Sequence, residues 1–151
     1  MTITSRFFIV AAALLCLALA EQTQAQTRLG LRGGVYLDQD EAFVGAHLAH
    51  RMQRNLRFAP NFEYVLIEQG SLYTINADFL YDLPGRSSTV LWLGGGLGLS
   101  RFSFEDFSNN DVGLNLLMGA SFGRGPATPF LQVKVMVMDE TQLVLGGGIT
   151  F

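Results

Sequence analysis

The chain has 151 residues, is 49% hydrophobic, carries a formal charge of -3, and contains 17 glycines, 4 prolines and 1 cysteine. This length suits one domain, and the charge offers no basic excess for nucleic acid. The single cysteine, Cys16, lies in a leading segment expected to be removed, so neither a disulfide framework nor a thiolate metal site is expected in the remainder.

Arg6 precedes an uncharged apolar run from Phe7 to Ala20, followed by the polar residues Glu21 to Gln24 and then Ala25. That order fits a secretory signal peptide over residues 1–25. The apolar run falls short of the roughly 20 residues a membrane-spanning helix needs. Cleavage is expected after Ala25; Ala20 competes, because Ala18 and Ala20 satisfy the small-x-small rule. Leu15 before Cys16 disfavours a lipoprotein. Arg6 and Glu21 leave together, so the charge of the mature chain stays near -3.

After Ala25 no run of 18 or more apolar residues could form a spanning helix. Read with a period of two, residues 26–151 instead break into about eight strands, the repeated weak signal of a transmembrane barrel. Strand one, Thr27 to Leu37, sets Leu29, Leu31 and Val35 against Arg28, Gly30, Arg32, Gly34 and Tyr36. Strand two, Ala42 to Met52, sets Val44, Ala46 and Leu48 against Phe43, Gly45, His47 and Arg51. In the third, Leu56, Phe58, Phe62 and Tyr64 oppose Arg57, Asn61 and Glu63. In the fourth, Tyr73, Ile75, Ala77, Phe79 and Tyr81 oppose Thr74, Asn76, Asp78 and Leu80. The fifth sets Leu91, Leu93, Gly95, Leu97 and Leu99 against Trp92, Gly94, Gly96 and Gly98. The sixth sets Val112, Leu114, Leu116, Met118, Ala120 and Phe122 against Gly113, Asn115, Leu117, Gly119 and Ser121. The seventh sets Leu131, Val133 and Val135 against Phe130, Gln132, Lys134 and Met136. The eighth, Thr141 to Phe151, sets Leu143, Leu145, Ile149 and Phe151 against Val144, Gly146, Gly148 and Thr150.

The second face of each strand is mostly glycine and small residues with a few isolated charges. That suits an all-β, antiparallel up-and-down barrel whose apolar face meets lipid while the other fills a narrow lumen. Aromatics cluster near both strand ends, with Tyr36, Phe43, Tyr64, Tyr73, Phe102, Phe104 and Phe107 at one and Phe58, Tyr81, Trp92, Phe122, Phe130 and Phe151 at the other. Two interfacial belts are therefore expected. The connections sort by charge. Asp38, Asp40, Glu41, Glu68, Glu105, Asp106, Asp111, Asp139 and Glu140 fall on the side assigned to the cell exterior, and Arg51, Arg54, Arg86 and Arg124 on the periplasmic side. The longest connections are expected at 103–111 and 123–129.

The Gly-rich last strand ending in Ile149, Thr150 and Phe151, the opening of strand seven at Pro129, Phe130, Val133 and Lys134, and the first strand from Gly30 to Tyr36 resemble the small outer-membrane β-barrel family, which includes OmpX-like and opacity-type proteins. The resemblance implies an eight-stranded barrel in the outer membrane and a C-terminal assembly signal in Ile149 and Phe151. It also implies outer-membrane lipids, lipopolysaccharide and the barrel assembly machinery as partners, and a monomer. The chain departs from the family in its short outer loops, which weigh against adhesion, and in Pro60, where a bulge or local break is expected.

Within the lumen, Arg28, Arg32, His47, Arg57 and Lys134 face Glu63 and Asp78. Unpaired charges there would be costly, roughly 3 to 5 kcal/mol when one partner of a buried pair is removed. A structural ion-pair network of Arg32, Glu63, Asp78 and Lys134 is expected to plug the barrel, with glycines of opposing strands giving it room. No catalytic, cofactor or metal residues are identified. His47 and His50 point to opposite faces of one strand, and Gly94 to Gly96 lie within a strand and lack the spacing of a phosphate-binding turn. The expected role is structural or surface-interacting in the cell envelope, without catalysis. A narrow ion or small-solute channel is the alternative, and a lipid-modifying outer-membrane enzyme ranks below it.

Overall fold

A computed structural model describes residues 27–151; the expected signal peptide and its expected cleavage point lie outside the described residues. Eight strands form one closed antiparallel barrel: β1 (Thr27–Tyr36), β2 (Glu41–Arg51), β3 (Leu56–Val65), β4 (Ser71–Asp82), β5 (Thr89–Phe104), β6 (Phe107–Phe122), β7 (Thr128–Val137) and β8 (Gln142–Thr150). The seam joins β1 to β8 from Gly30 opposite Thr150 to Tyr36 opposite Val144, so the sheet closes without free edges along its common height.

The two-residue periodicity governs what faces where. Leu31, Val44, Phe62, Ile75, Leu97, Leu114, Leu131 and Leu145, one from each strand, are all exposed on the outer surface. A soluble protein does not present so extensive an apolar surface to water. Lipid satisfies it, and strands of roughly 9 to 11 tilted residues cross the hydrocarbon.

Pro60 does not cause a bulge. It pairs with Ala77 in an uninterrupted β3–β4 ladder. The β2–β3 ladder keeps one register from Phe43 opposite Val65 to Arg51 opposite Arg57, but carries no pairing between His47 opposite Asn61 and His50 opposite Phe58. Loss of the proline N–H therefore produces the expected local break with no added residue.

The segment 103–111, expected as a long outer loop, is instead a hairpin. β5 and β6 each run 16 residues and meet at Glu105 and Asp106, with Glu105 at φ 49°. Alternation weakens beyond the membrane because both faces there meet water, so the period-two signal is lost while the pairing continues. β7 pairs with β6 only from Leu114 onward. The outer part of β6, Phe107–Gly113, thus projects with its β7-side edge unpaired among the described residues.

The expected belts also need correction. Tyr36, Phe43, Trp92 and Phe130 are buried in the lumen, whereas Tyr64, Tyr81, Phe122 and Phe151 are exposed outside. Strand parity, not position near a strand end, decides which aromatic rings reach the interface.

Candidate functional site

The lumen is filled in layers. At the end away from the chain termini Tyr36, Phe43, Val65, Met136 and Val144 form an apolar cluster. Nearer the end that carries the start of β1 and the end of β8, Ala59, Leu80, Trp92, Leu117 and Phe130 form another. Between them lie the charged and amide side chains, with Glu63, Asp78 and Lys134 all 0% exposed.

Glu63 is the hub. Lys134 Nζ donates to both of its carboxylate oxygens at 2.9 and 2.8 Å. The Arg32 guanidinium lies 3.0 Å from Oε1 as an ion pair. Tyr36 donates its hydroxyl to Oε2 at 2.7 Å and Thr74 does so at 3.1 Å. One carboxylate therefore serves two cations and two hydroxyls, a charge-assisted arrangement that strengthens each contact in a site closed to water.

Asp78 does not join this ion pair. Its oxygens accept 2.8 Å hydrogen bonds from the amides of Asn61 and Asn115, and Asn76 links the same group by donating to Asn61 Oδ1 at 2.9 Å. The expected four-residue network of Arg32, Glu63, Asp78 and Lys134 is thus a three-residue ion cluster beside an amide-held carboxylate. Arg28 and Arg57 lie farther toward the end that carries the chain termini. Arg28 donates to the Thr150 and Pro126 carbonyls at 2.9 and 3.0 Å. Arg57 pairs with Asp82, Nε to Oδ1 at 3.0 Å, and stacks 5.9 Å from the centre of Trp92. His47 and His50 separate to opposite faces, His47 Nε2 bonding Thr150 Oγ1 at 2.9 Å and His50 Nδ1 bonding Thr27 Oγ1 at 2.7 Å.

The glycines act between neighbouring strands, not across the ring. In the register Arg32 and Glu63 flank Gly45, Asp78 and Asn115 flank Gly96, and His47 and Thr150 flank Gly30. Each pair bonds over a position with no side chain. A Cβ built on Gly96 would collide with Asp78, and one on Gly30 with the His47 ring. Two strands apart, side chains meet only because the intervening residue has none.

Sequence reading missed Tyr36, Thr74, Asn61, Asn76 and Asn115 as members of the network. All five lie on the inner face at the level of the charges, so parity plus register would have found them. Charge alone does not.

These features define an eight-stranded transmembrane barrel with polar side chains buried inside it, of the outer-membrane kind. No family model and no curated protein sequence matches the chain. Among solved structures it is similar to Neisserial surface protein A, with 18% identity, 83% of this chain and 90% of that chain covered, and a TM-score of 0.54. It also aligns with Ail, the attachment invasion locus protein of Yersinia pestis, at 16% identity over 83% of this chain and 97% of that one, with a TM-score of 0.47. For Ail in complex with the heparin analogue sucrose octasulfate the identity is 16%, the coverage 83% and 97%, and the TM-score 0.48. The likeness to the Neisserial protein is one of fold.

Proposed function

We propose that the protein is a non-conducting outer-membrane barrel with a structural or surface-interaction role in the cell envelope, and that it is not an enzyme. The filled lumen carries this reading. A solute crossing it would have to displace the Tyr36, Phe43 and Met136 layer, then part Glu63 from Lys134 and Arg32. An interior of eight strands is just wide enough for such side chains. The projecting β5–β6 hairpin, with its unpaired Phe107–Gly113 edge, supports a surface role, since edge strands recruit extended partners.

In this account outer-membrane lipids and lipopolysaccharide surround a monomeric barrel. Ile149 and Phe151, both exposed at the periplasmic end, are read by the assembly machinery. The channel alternative draws on the roomy periplasmic mouth described below, which would be half of a path. Solute-flux measurements on liposomes containing the folded protein separate the two. Swelling no faster than in protein-free liposomes is expected, and rapid uptake of small sugars or salts would favour the channel.

A further inference from the structure

The periplasmic end of the barrel opens into a cavity of about 860 Å³ whose walls include Arg28, Arg51, Arg54, Arg57 and Arg124 against a single acidic side chain, Asp82. We propose that this vestibule binds a soluble multivalent oxyanion, with phosphate or carboxylate groups, from the periplasm. The proposal is independent of whether the lumen conducts.

Three of the arginines are fixed by the barrel itself. Arg28 is clamped on backbone oxygens of Thr150 and Pro126, Arg57 is set by Asp82 and Trp92, and Arg124 donates to the Ser87 carbonyl at 3.0 Å. Arg51 and Arg54, at the β2–β3 turn, have neither a hydrogen-bond nor an ion-pair partner among the described residues. Their planar forks are free to take carboxylate or phosphate oxygens two at a time. Asp82 balances Arg57 and Arg28 Nε is held 3.2 Å from the Phe151 oxygen, which leaves Arg51, Arg54 and Arg124 at the cavity wall without a counter-charge, and an anion of several charges supplies one.

The shape supports binding over passage. The cavity is within the roughly 300 to 1,000 Å³ range of small-molecule sites. Its inner end narrows past Arg57 to a recess of only about 30 Å³, lined by Leu80, Trp92, Leu117 and Phe130 of the apolar layer and by Arg32 and Asp78 behind it. A basic cleft with low-dielectric walls focuses its field on the mouth and raises the local anion concentration. The exterior connections, rich in Asp and Glu, supply no comparable attraction, so the preference belongs to the periplasmic end.

The test is titration calorimetry on the folded full chain in an uncharged detergent, with tripolyphosphate in one arm and citrate in the other. Saturable one-to-one binding of either anion, weakening with salt, is expected, and the arm that binds identifies the oxyanion group. The double variant Arg51→Gln, Arg54→Gln should weaken it about tenfold or more. Arg101→Gln, at the opposite end of the barrel, should leave it unchanged. Both positions of the double variant are exposed, and retention of the folded, heat-modifiable electrophoretic mobility confirms an intact barrel. Absence of binding in both arms, or equal weakening by Arg101→Gln, would overturn the proposal.

Discussion

Replacing Glu63 by glutamine keeps the shape of the side chain while removing the charge shared by Arg32 and Lys134. Both cations stay in the lumen, with Lys134 0% exposed and Arg32 only 7%. Asp78 makes no ion pair with either cation and is held by the amides of Asn61 and Asn115, so it does not replace Glu63 directly. Removing one partner of a buried pair costs about 3 to 5 kcal/mol, and two cations sharing one carboxylate put this variant near the upper end. Against a total stability on the order of 5 to 15 kcal/mol, that is a third or more of the margin. Converting the ion cluster to apolar residues, as in Glu63→Leu with Arg32→Met and Lys134→Met, removes the charges together, a gain of about 1 to 4 kcal/mol set against the Tyr36 and Thr74 hydroxyls left without their acceptor at about 1 to 3 kcal/mol each, so it should cost less than Glu63→Gln. Denaturant unfolding from lipid vesicles measures both variants, followed by fluorescence of Trp92, the only tryptophan in the chain. An unchanged slope with denaturant shows that the same surface is exposed in each. A loss under about 1 kcal/mol for Glu63→Gln would refute the view that this carboxylate holds the core together.

Asp78→Ala should be the milder lesion, at about 1 to 3 kcal/mol in all, because the Asn61 and Asn115 amides keep their bonds to the Ala59 carbonyl and to Asn76 Oδ1 and no cation loses a direct partner. In the same unfolding assay it should fall below Glu63→Gln, and the reverse order would mean that Asp78 compensates Arg32 or Lys134 at a distance. Val133→Arg, outward at the centre of β7, should destabilise by about 2 to 4 kcal/mol. Met136→Arg should be worse, since its site is packed by Tyr36, Phe43, Val65 and Val144; tolerance of Met136→Arg by a refolding gel assay would contradict the closed outer layer. A cysteine at Asn109, on the projecting hairpin, should react with an impermeant maleimide on intact cells while one at Gly85 should not, and the opposite labelling would invert the barrel.

Much of the architecture was legible because a barrel imposes one rule on every strand. Alternation in Thr27 to Leu37 or Leu131 to Val137 fixes inward and outward faces before any contact is known. It fails where the rule lapses. Beyond the membrane, Ser103 to Asp111 has no apolar face and reads as a loop, although β5 and β6 remain paired. The lumen was legible in content but not in partnership. Arg32, Glu63, Asp78 and Lys134 all point inward, but which of them meet depends on strand stagger, which brings Lys134 of β7 to Glu63 of β3 and leaves Asp78 to its amide neighbours. The glycines were read as space, correctly in kind. Their places at Gly30, Gly45 and Gly96 serve pairs two strands apart, a relation that appears only once the register is known.

Single-channel recording of the wild-type protein in planar bilayers tests the closed lumen most directly. Tyr36 and Phe43 cap the lumen, and Glu63 is bonded to Lys134 from across it, so no stable conductance is predicted over a range of voltages. Steady, ion-selective openings of uniform size from the wild-type protein would contradict the account and make the barrel a channel.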